Sequence, residues 1–232
     1  MQIILGVALL GQSYNQHLDA AKLHWKDKSY QKAIDEYNKA IPLAIQEKNF
    51  DKALEVLEQK NNSLMFLSQT DSMLANSLFT EALIESNNLS TEKLVNIKAS
   101  IAELYYIQED FKESIKYYRQ ILGPFKKSGD DKFYASTLMQ IGDCYRILVN
   151  SDSAFHYFDK ALPIMEATKD STGISKIYVK TSQYHLANNN FKEALDYSIK
   201  SVQILDDEKH AYFKIGAYQN ISSVFQKMKN TD

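Results

Sequence analysis

IAELYYIQEDFKES at residues 101–114 and TSQYHLANNNFKEA at residues 181–194 share an FKE, 80 residues apart, and the same order of small and aromatic positions around it. IGDCYRILVNSDSA at residues 141–154 lies midway in the same register, so the period is 40 rather than 80. Working outward, a small residue near the middle of each segment serves as the reference. It recurs as Ala21, Ser63, Ala102, Gly142, Ser182 and Ser222, at spacings of 42, 39, 40, 40 and 40. Three residues beyond it stands a ring: His24, Phe66, Tyr105, Tyr145, His185 and Phe225. Twelve beyond comes a second small residue, at Ala33, Ala75, Ser114, Ala154 and Ala194, and four further on Tyr37, Phe79, Tyr118, Phe158 and Ser198. Ala40, Ala82, Ile121, Ala161 and Ser201 close the pattern.

Small residues let two antiparallel helices approach, and rings four residues away fill the space beside the contact. One such hairpin cannot bury both apolar faces, so hairpins must stack. The register predicts first helices over 14–27, 51–68, 91–108, 131–148, 171–188 and 208–229. Second helices are expected over 30–47, 72–87, 111–127, 151–167 and 191–205. Ser90, Ser151-Asp152 and Asn188-Asn189-Asn190 read as helix starts, and Lys127-Ser128-Gly129-Asp130 as a stop and restart. Pro42 and Pro163 occupy matching places in the first and fourth hairpins and are expected to kink or shorten their helices.

The composition agrees with an all-helical chain. Only 7 Gly and 3 Pro stand among 232 residues, with 44% hydrophobic and 24% charged. The formal charge of −2 argues against broad nucleic-acid binding, which needs a basic excess. The single cysteine, Cys144, excludes an intrachain disulfide and a thiolate zinc site. It reads as a small packing residue. IILGVALL at residues 3–10 is too short to span a bilayer. Residues 1–13 read as the remnant of an export signal, which favours an exported or periplasmic location, or else as an apolar lead-in packed on the first hairpin. Repeats are expected over residues 14–232, as five complete hairpins and the first helix of a sixth. That last helix is apolar over much of its surface, which leads us to expect a longer protein or a covering partner.

The fourth hairpin, with Leu138, Ile141, Gly142, Tyr145, Ala154, Phe158 and Ala161, resembles the tetratricopeptide repeat family. The resemblance extends over residues 14–232. The repeat here is longer than the family's usual length of about 34. The fifth hairpin departs most, with His185, Ser198 and Ser201, and the second is weak at Gln59 and Asn62. The resemblance implies an all-α, right-handed superhelical solenoid whose concave face, lined by first helices, holds a protein or peptide. Carried over by register, the groove residues are Asn96, Ser100, Glu103 and Tyr106 in the third hairpin and Ser136, Gln140, Asp143 and Arg146 in the fourth. Lys176, Lys180 and Gln183 follow in the fifth, and Gln219, Asn220 and Ser223 in the sixth. Amides can bond a peptide backbone in both directions, and Arg146, Lys176 and Lys180 could meet carboxylates. Lys22, Lys26, Lys60 and Asn61 form only part of the family's carboxylate clamp, which is therefore not expected. The resemblance also extends to sensory arrays placed before a histidine kinase or DNA-binding output domain.

No Gly-rich phosphate loop, HExxH, GxSxG or Walker pattern occurs. The histidines His17, His24, His156, His185 and His210 lack ligand spacing, and the Asp130-Asp131 and Asp206-Asp207 pairs sit at expected helix junctions. The expectation is therefore a chain with no cofactor and no catalytic site.

Overall fold

The computed structural model describes residues 2–205 and 209–229, with side chains from residue 13 onward. Among the described residues it is a succession of helices: α1 (Gln2–Lys26), α2 (Tyr30–Gln46), α3 (Phe50–Phe66), α4 (Thr70–Ser86), α5 (Thr91–Ile107), α6 (Phe111–Ser128), α7 (Asp131–Ile147), α8 (Ser151–Ala167), α9 (Ser171–Ala187), α10 (Phe191–Gln203) and α11 (Ala211–Lys229). The odd-numbered helices are the first helices of the sequence pattern, and most boundaries fall within a residue or two of those expected. The backbone of the apolar run at residues 3–10 is continuous with α1. The signal-remnant reading depends on side chains outside those described, and Asp206-Asp207 also lies outside them.

The chain divides into two compact units, Met1–Asp110 and Phe111–Asp232. Within the first, α1 to α5 pack in sequence order, around Tyr14, Ala21, Tyr37, Ala40, Ala53, Val56 and Leu57. Within the second, α6 to α11 do the same, with Leu138, Phe158, Ala161, Met165 and Ile177 at the core. There the first helices also touch one another, α7 on α9 and α9 on α11.

Eight of the helix ends close in one way. The residue two past the helix has φ between 49° and 62°: Lys28, Lys48, Ser68, Asn88, Glu109, Val149, Lys169 and Asn189. Its N–H and that of the next residue turn back onto the last helical turn. Lys28 N donates to Trp25 O at 3.0 Å, for example, and Ser29 N to His24 O at 2.8 Å. This is the Schellman closure, which satisfies otherwise orphaned carbonyls. Here it is built almost entirely without glycine; Gly129, at φ 74°, is the one glycine in that region. Starts use side-chain caps in several helices. Asn49, Ser90, Asp130, Asn150 and Asp170 each accept from the third residue onward. The cap of α8 is thus Asn150 rather than Ser151-Asp152. Asn190 stands at the start of α10 without a side-chain cap bond. The prolines do not shorten their helices, since α2 and α8 both run 17 residues through Pro42 and Pro163.

The register needs correction in the second hairpin. Ala75 and Ala82 are exposed, Phe79 is 47% exposed and Phe66 53%. Counting back from the helix ends, the residue equivalent to Ala21, Ala102, Gly142 and Ser182 is Asn61, not Ser63. Its partner on α4 is Ser77, not Phe79. Asn61 Nδ2 donates to Ser77 Oγ at 3.0 Å, and Asn76 Nδ2 donates to Asn61 Oδ1 and to Leu57 O, both at 2.9 Å. Elsewhere the pair is small against ring. A Cβ on Gly142 would lie 2.6 Å from Phe158 Cε1. In the second hairpin a longer polar side chain meets a serine, which fills a similar space with hydrogen bonds. In the fifth both partners are small, Ser182 and Ser198, at 2.7 Å, and Asn220 reaches in from α11 to bond both, at 2.9 and 2.8 Å.

The rings three past the reference are also less buried than expected. Tyr145 stacks on Tyr157 at 5.7 Å, and His185 on Tyr197 at 5.6 Å, both half-buried beside the core.

Candidate functional site

Within the first unit, α3 and α5 stand either side of a concavity of about 870 Å³, with α4 behind it. Its α3 wall carries Glu55, Glu58, Asn62 and Met65, and its α5 wall Asn96, Ser100, Glu103 and Ile107. The floor is formed by Leu54, Leu57, Ile97 and Leu104, with Met73, Ser77, Thr80 and Ile84 from α4. Three of the four residues expected in the third hairpin, Asn96, Ser100 and Glu103, therefore line one space; Tyr106 does not. With Asn61 as reference, the same offsets on α3 give Glu55, Gln59, Asn62 and Met65, of which Glu55, Asn62 and Met65 line this space. The two-residue slip had hidden this wall.

The charge of this space is uneven. Lys93 Nζ bonds Asp51 Oδ1 at 2.6 Å and joins α5 to α3. Glu55, which accepts from Gln59 Nε2 at 3.1 Å, Glu58 and Glu103 remain as exposed carboxylates on the walls. Ser100 Oγ donates to the backbone carbonyl of Asn96, and Asn96 and Asn62 are both exposed.

The second unit places its expected residues differently. Asp143 is fully buried, Arg146 Nε donates to its Oδ1 at 2.7 Å, and Lys180 reaches across from α9 to its Oδ2. The two cations expected to meet a ligand carboxylate thus already hold one belonging to the chain. Asn220 is 6% exposed and spent on Ser182 and Ser198, so it packs helices together rather than lining an open face. Gln140 Nε2 donates to Tyr118 Oη at 3.5 Å, and Lys176 Nζ lies 5.5 Å from the Phe213 ring centroid. Gln183, Gln219 and Ser223 are exposed, with Ser223 Oγ donating to Gln219 O; Ser136 is half-buried.

Chemistry of other kinds finds little support. Burial pushes the Cys144 thiol up to about 11, against a 3.6 Å bond to Ser114 Oγ that acts the other way, so it is protonated at neutral pH. Burial lowers the Lys60 ammonium below its usual range. Asn61, the other clamp-like residue beside it, is engaged with Ser77 and Asn76. Among the described residues no three His, Cys, Asp or Glu side chains gather to hold a metal ion, and no helix is long and apolar enough to cross a membrane.

Helical hairpins of about 40-residue period, closed by small residues against rings or by hydrogen-bonded polar pairs, define an all-α repeat protein of the solenoid class. Residues 94–167 match the tetratricopeptide repeat family. Over that third of the chain, within α5 to α8, it is a run of tetratricopeptide repeats. No curated protein matches it significantly. Among solved structures it is similar to the signal-transduction ATPase with numerous domains of Pyrococcus horikoshii, which bears a tetratricopeptide repeat sensor. That likeness has TM-score 0.66 at 18% identity, covering 91% of this chain and 31% of that one. This chain therefore spans under a third of that protein's length. A tetratricopeptide repeat protein of Parabacteroides merdae gives TM-score 0.65 at 13% identity, with 94% and 74% covered. The apo form of RapI gives 0.60 at 14%, with 94% and 85% covered. Identities this low establish shared fold.

Proposed function

We propose that the chain is a non-catalytic scaffold that holds a protein or peptide against the faces of its first helices. The observation that carries this reading is the concavity between α3 and α5. Apolar floor, exposed amides and exposed carboxylates in one space suit a polypeptide, whose backbone wants donors and acceptors and whose side chains want both oil and charge. In the second unit Gln183 and Gln219 are likewise polar and exposed on first helices.

The test is site-specific photo-crosslinking in extracts of the source cells. Benzoylphenylalanine is placed at Asn96 or Gln183 on first helices, and at Lys39 or Lys160, exposed on second helices. A polypeptide adduct from the first pair and not the second is expected. Adducts from both faces alike would reject the reading.

A second reading, a sensory or input region of a larger signalling protein with a histidine kinase or DNA-binding output, draws on the likeness to the Pyrococcus horikoshii ATPase, whose repeats are described as a sensor. It rests on fold analogy alone. The coding sequence adjoining this chain tests it directly: a kinase or helix-turn-helix segment in the same reading frame supports it, and a stop codon refutes it.

A further inference from the structure

We infer that the concavity between α3 and α5 selects a cationic peptide segment, one in which lysine or arginine alternates with large apolar side chains. This rests on the scaffold reading above and names the partner chemistry of that site. The walls of the concavity are acidic. Lys93 is the cation lining the space, and Asp51 neutralises it at 2.6 Å. Glu55, Glu58 and Glu103 are left, two on α3 and one on α5, facing a shared space from opposite sides. An acidic segment laid there would set its own charges beside three carboxylates, and like charges at an interface oppose docking; a neutral one would leave the three carboxylates without a counter-charge. A cationic segment meets a carboxylate on each wall.

The floor sets the second requirement. Leu54, Leu57, Ile97 and Leu104 form an apolar floor that is mostly buried already, and the open apolar surface is at the rim, where Met65 is 54% and Ile107 58% exposed. Methionine is flexible and polarizable, and adapts to apolar side chains of varied shape. Purely ionic partners would leave this surface wet. Leucine-like side chains descending between the cations would cover it, while the Asn62 and Asn96 amides are placed to bond the segment's backbone. Charge then supplies selectivity and encounter rate, and the floor supplies holding strength.

The experiment uses the full chain and fluorescein-labelled dodecapeptides read by fluorescence anisotropy. One alternates lysine with leucine, one alternates glutamate with leucine, and one alternates lysine with serine. The lysine–leucine peptide is expected to bind, and to weaken as salt rises from about 0.05 to 0.5 M. The E58Q/E103Q double variant, at two exposed positions where helix content should not change, is expected to weaken it roughly fivefold to thirtyfold. Carbodiimide coupling, which joins a carboxylate to a lysine amine, should yield adducts mapping to Glu55, Glu58 or Glu103. Equal binding of the glutamate–leucine peptide would overturn the cationic preference while leaving peptide holding intact. Equal binding of the lysine–serine peptide would overturn the role of the floor. Lysine–leucine binding untouched by E58Q/E103Q, with adducts outside residues 51–107, would overturn the site. No binding of any peptide at about 1 mM would overturn the inference outright. The photo-crosslinking experiment still judges the scaffold reading separately.

Discussion

Replacing Gly142 by alanine adds one methyl where α7 crosses α8. On its own a glycine-to-alanine change inside a helix stabilises by about 1 kcal/mol, through helix propensity and a less free unfolded chain. At Gly142 the new Cβ would sit 2.6 Å from Phe158 Cε1, 2.7 Å from Cδ1 and 3.1 Å from the Ala154 carbonyl. Phe158 is 2% exposed and packs with Ala161 and Met165, so its ring has nowhere to withdraw. Overpacking of this kind costs about 1–3 kcal/mol, which outweighs the propensity gain. Gly216, inside α11 with nothing within 4 Å of a built Cβ, provides the reference. G216A is expected to stabilise by about 1 kcal/mol, and the two variants should differ by about 1–3 kcal/mol. Urea unfolding followed by far-ultraviolet circular dichroism and by tyrosine fluorescence measures both, with two probes because repeat proteins need not unfold in one step. Adding Phe158→Leu to G142A should recover part of the loss, as a double-mutant cycle reports for residues in contact. G142A matching G216A in stability would show that Gly142 is not the close contact of the hairpin.

Other perturbations probe the remaining devices. Asn76→Ala strips a donor from Leu57 O and Asn61 Oδ1 and should destabilise by about 1–3 kcal/mol in urea; a loss below about 0.3 would reject the network. Asp143→Asn leaves Arg146 and Lys180 without their buried carboxylate. Because those side chains are 18% and 19% exposed and can turn to water, the expected loss is up to about 3 kcal/mol; an unchanged melting curve at low salt contradicts the ion cluster. Val149→Asn, at φ 58° and 82% exposure, replaces a β-branched residue in left-handed backbone and should stabilise by about 0.5–1 kcal/mol, visible as a raised melting temperature. Cys144 should resist iodoacetamide at pH 8 in the native protein and react in urea. Its thiol is protonated in the folded state up to about 11, against 9.0 in a free chain, so stability should fall as pH rises from 9 toward 11. Rapid native labelling at pH 8 would refute the burial.

Periodicity made the helices readable because Ala102, Gly142 and Ser182 carry the same packing demand at the same spacing. It misled at the second hairpin because that demand is met there by hydrogen bonds. A search for small residues passes over Asn61 and settles on Ser63, two residues late. The lining of α5 was legible because its reference, Ala102, was right, whereas that of α3 became legible only after Asn61 was placed. The pairing of Arg146 with Asp143 has the local i,i+3 spacing and was open to reading, but Lys180 lies 37 residues from Asp143 and nothing local marks that partner. Helix ends were equally quiet, because Lys, Ser, Glu and Val adopt a conformation that sequence rules assign to glycine.

The varied pairings at the hairpin crossings have a consequence for assembly. Neighbouring repeats of similar sequence can dock on the wrong partner as a chain emerges and folds. Gly142 accepts a phenylalanine, Asn61 a serine, and Ser182 a serine with an asparagine lodged between. The second and fifth crossings thus carry addresses that their neighbours do not answer. A chain with every crossing made glycine against phenylalanine should lose that addressing and give more swapped oligomer on refolding, seen by size-exclusion chromatography; clean monomer recovery would show that helix order alone suffices.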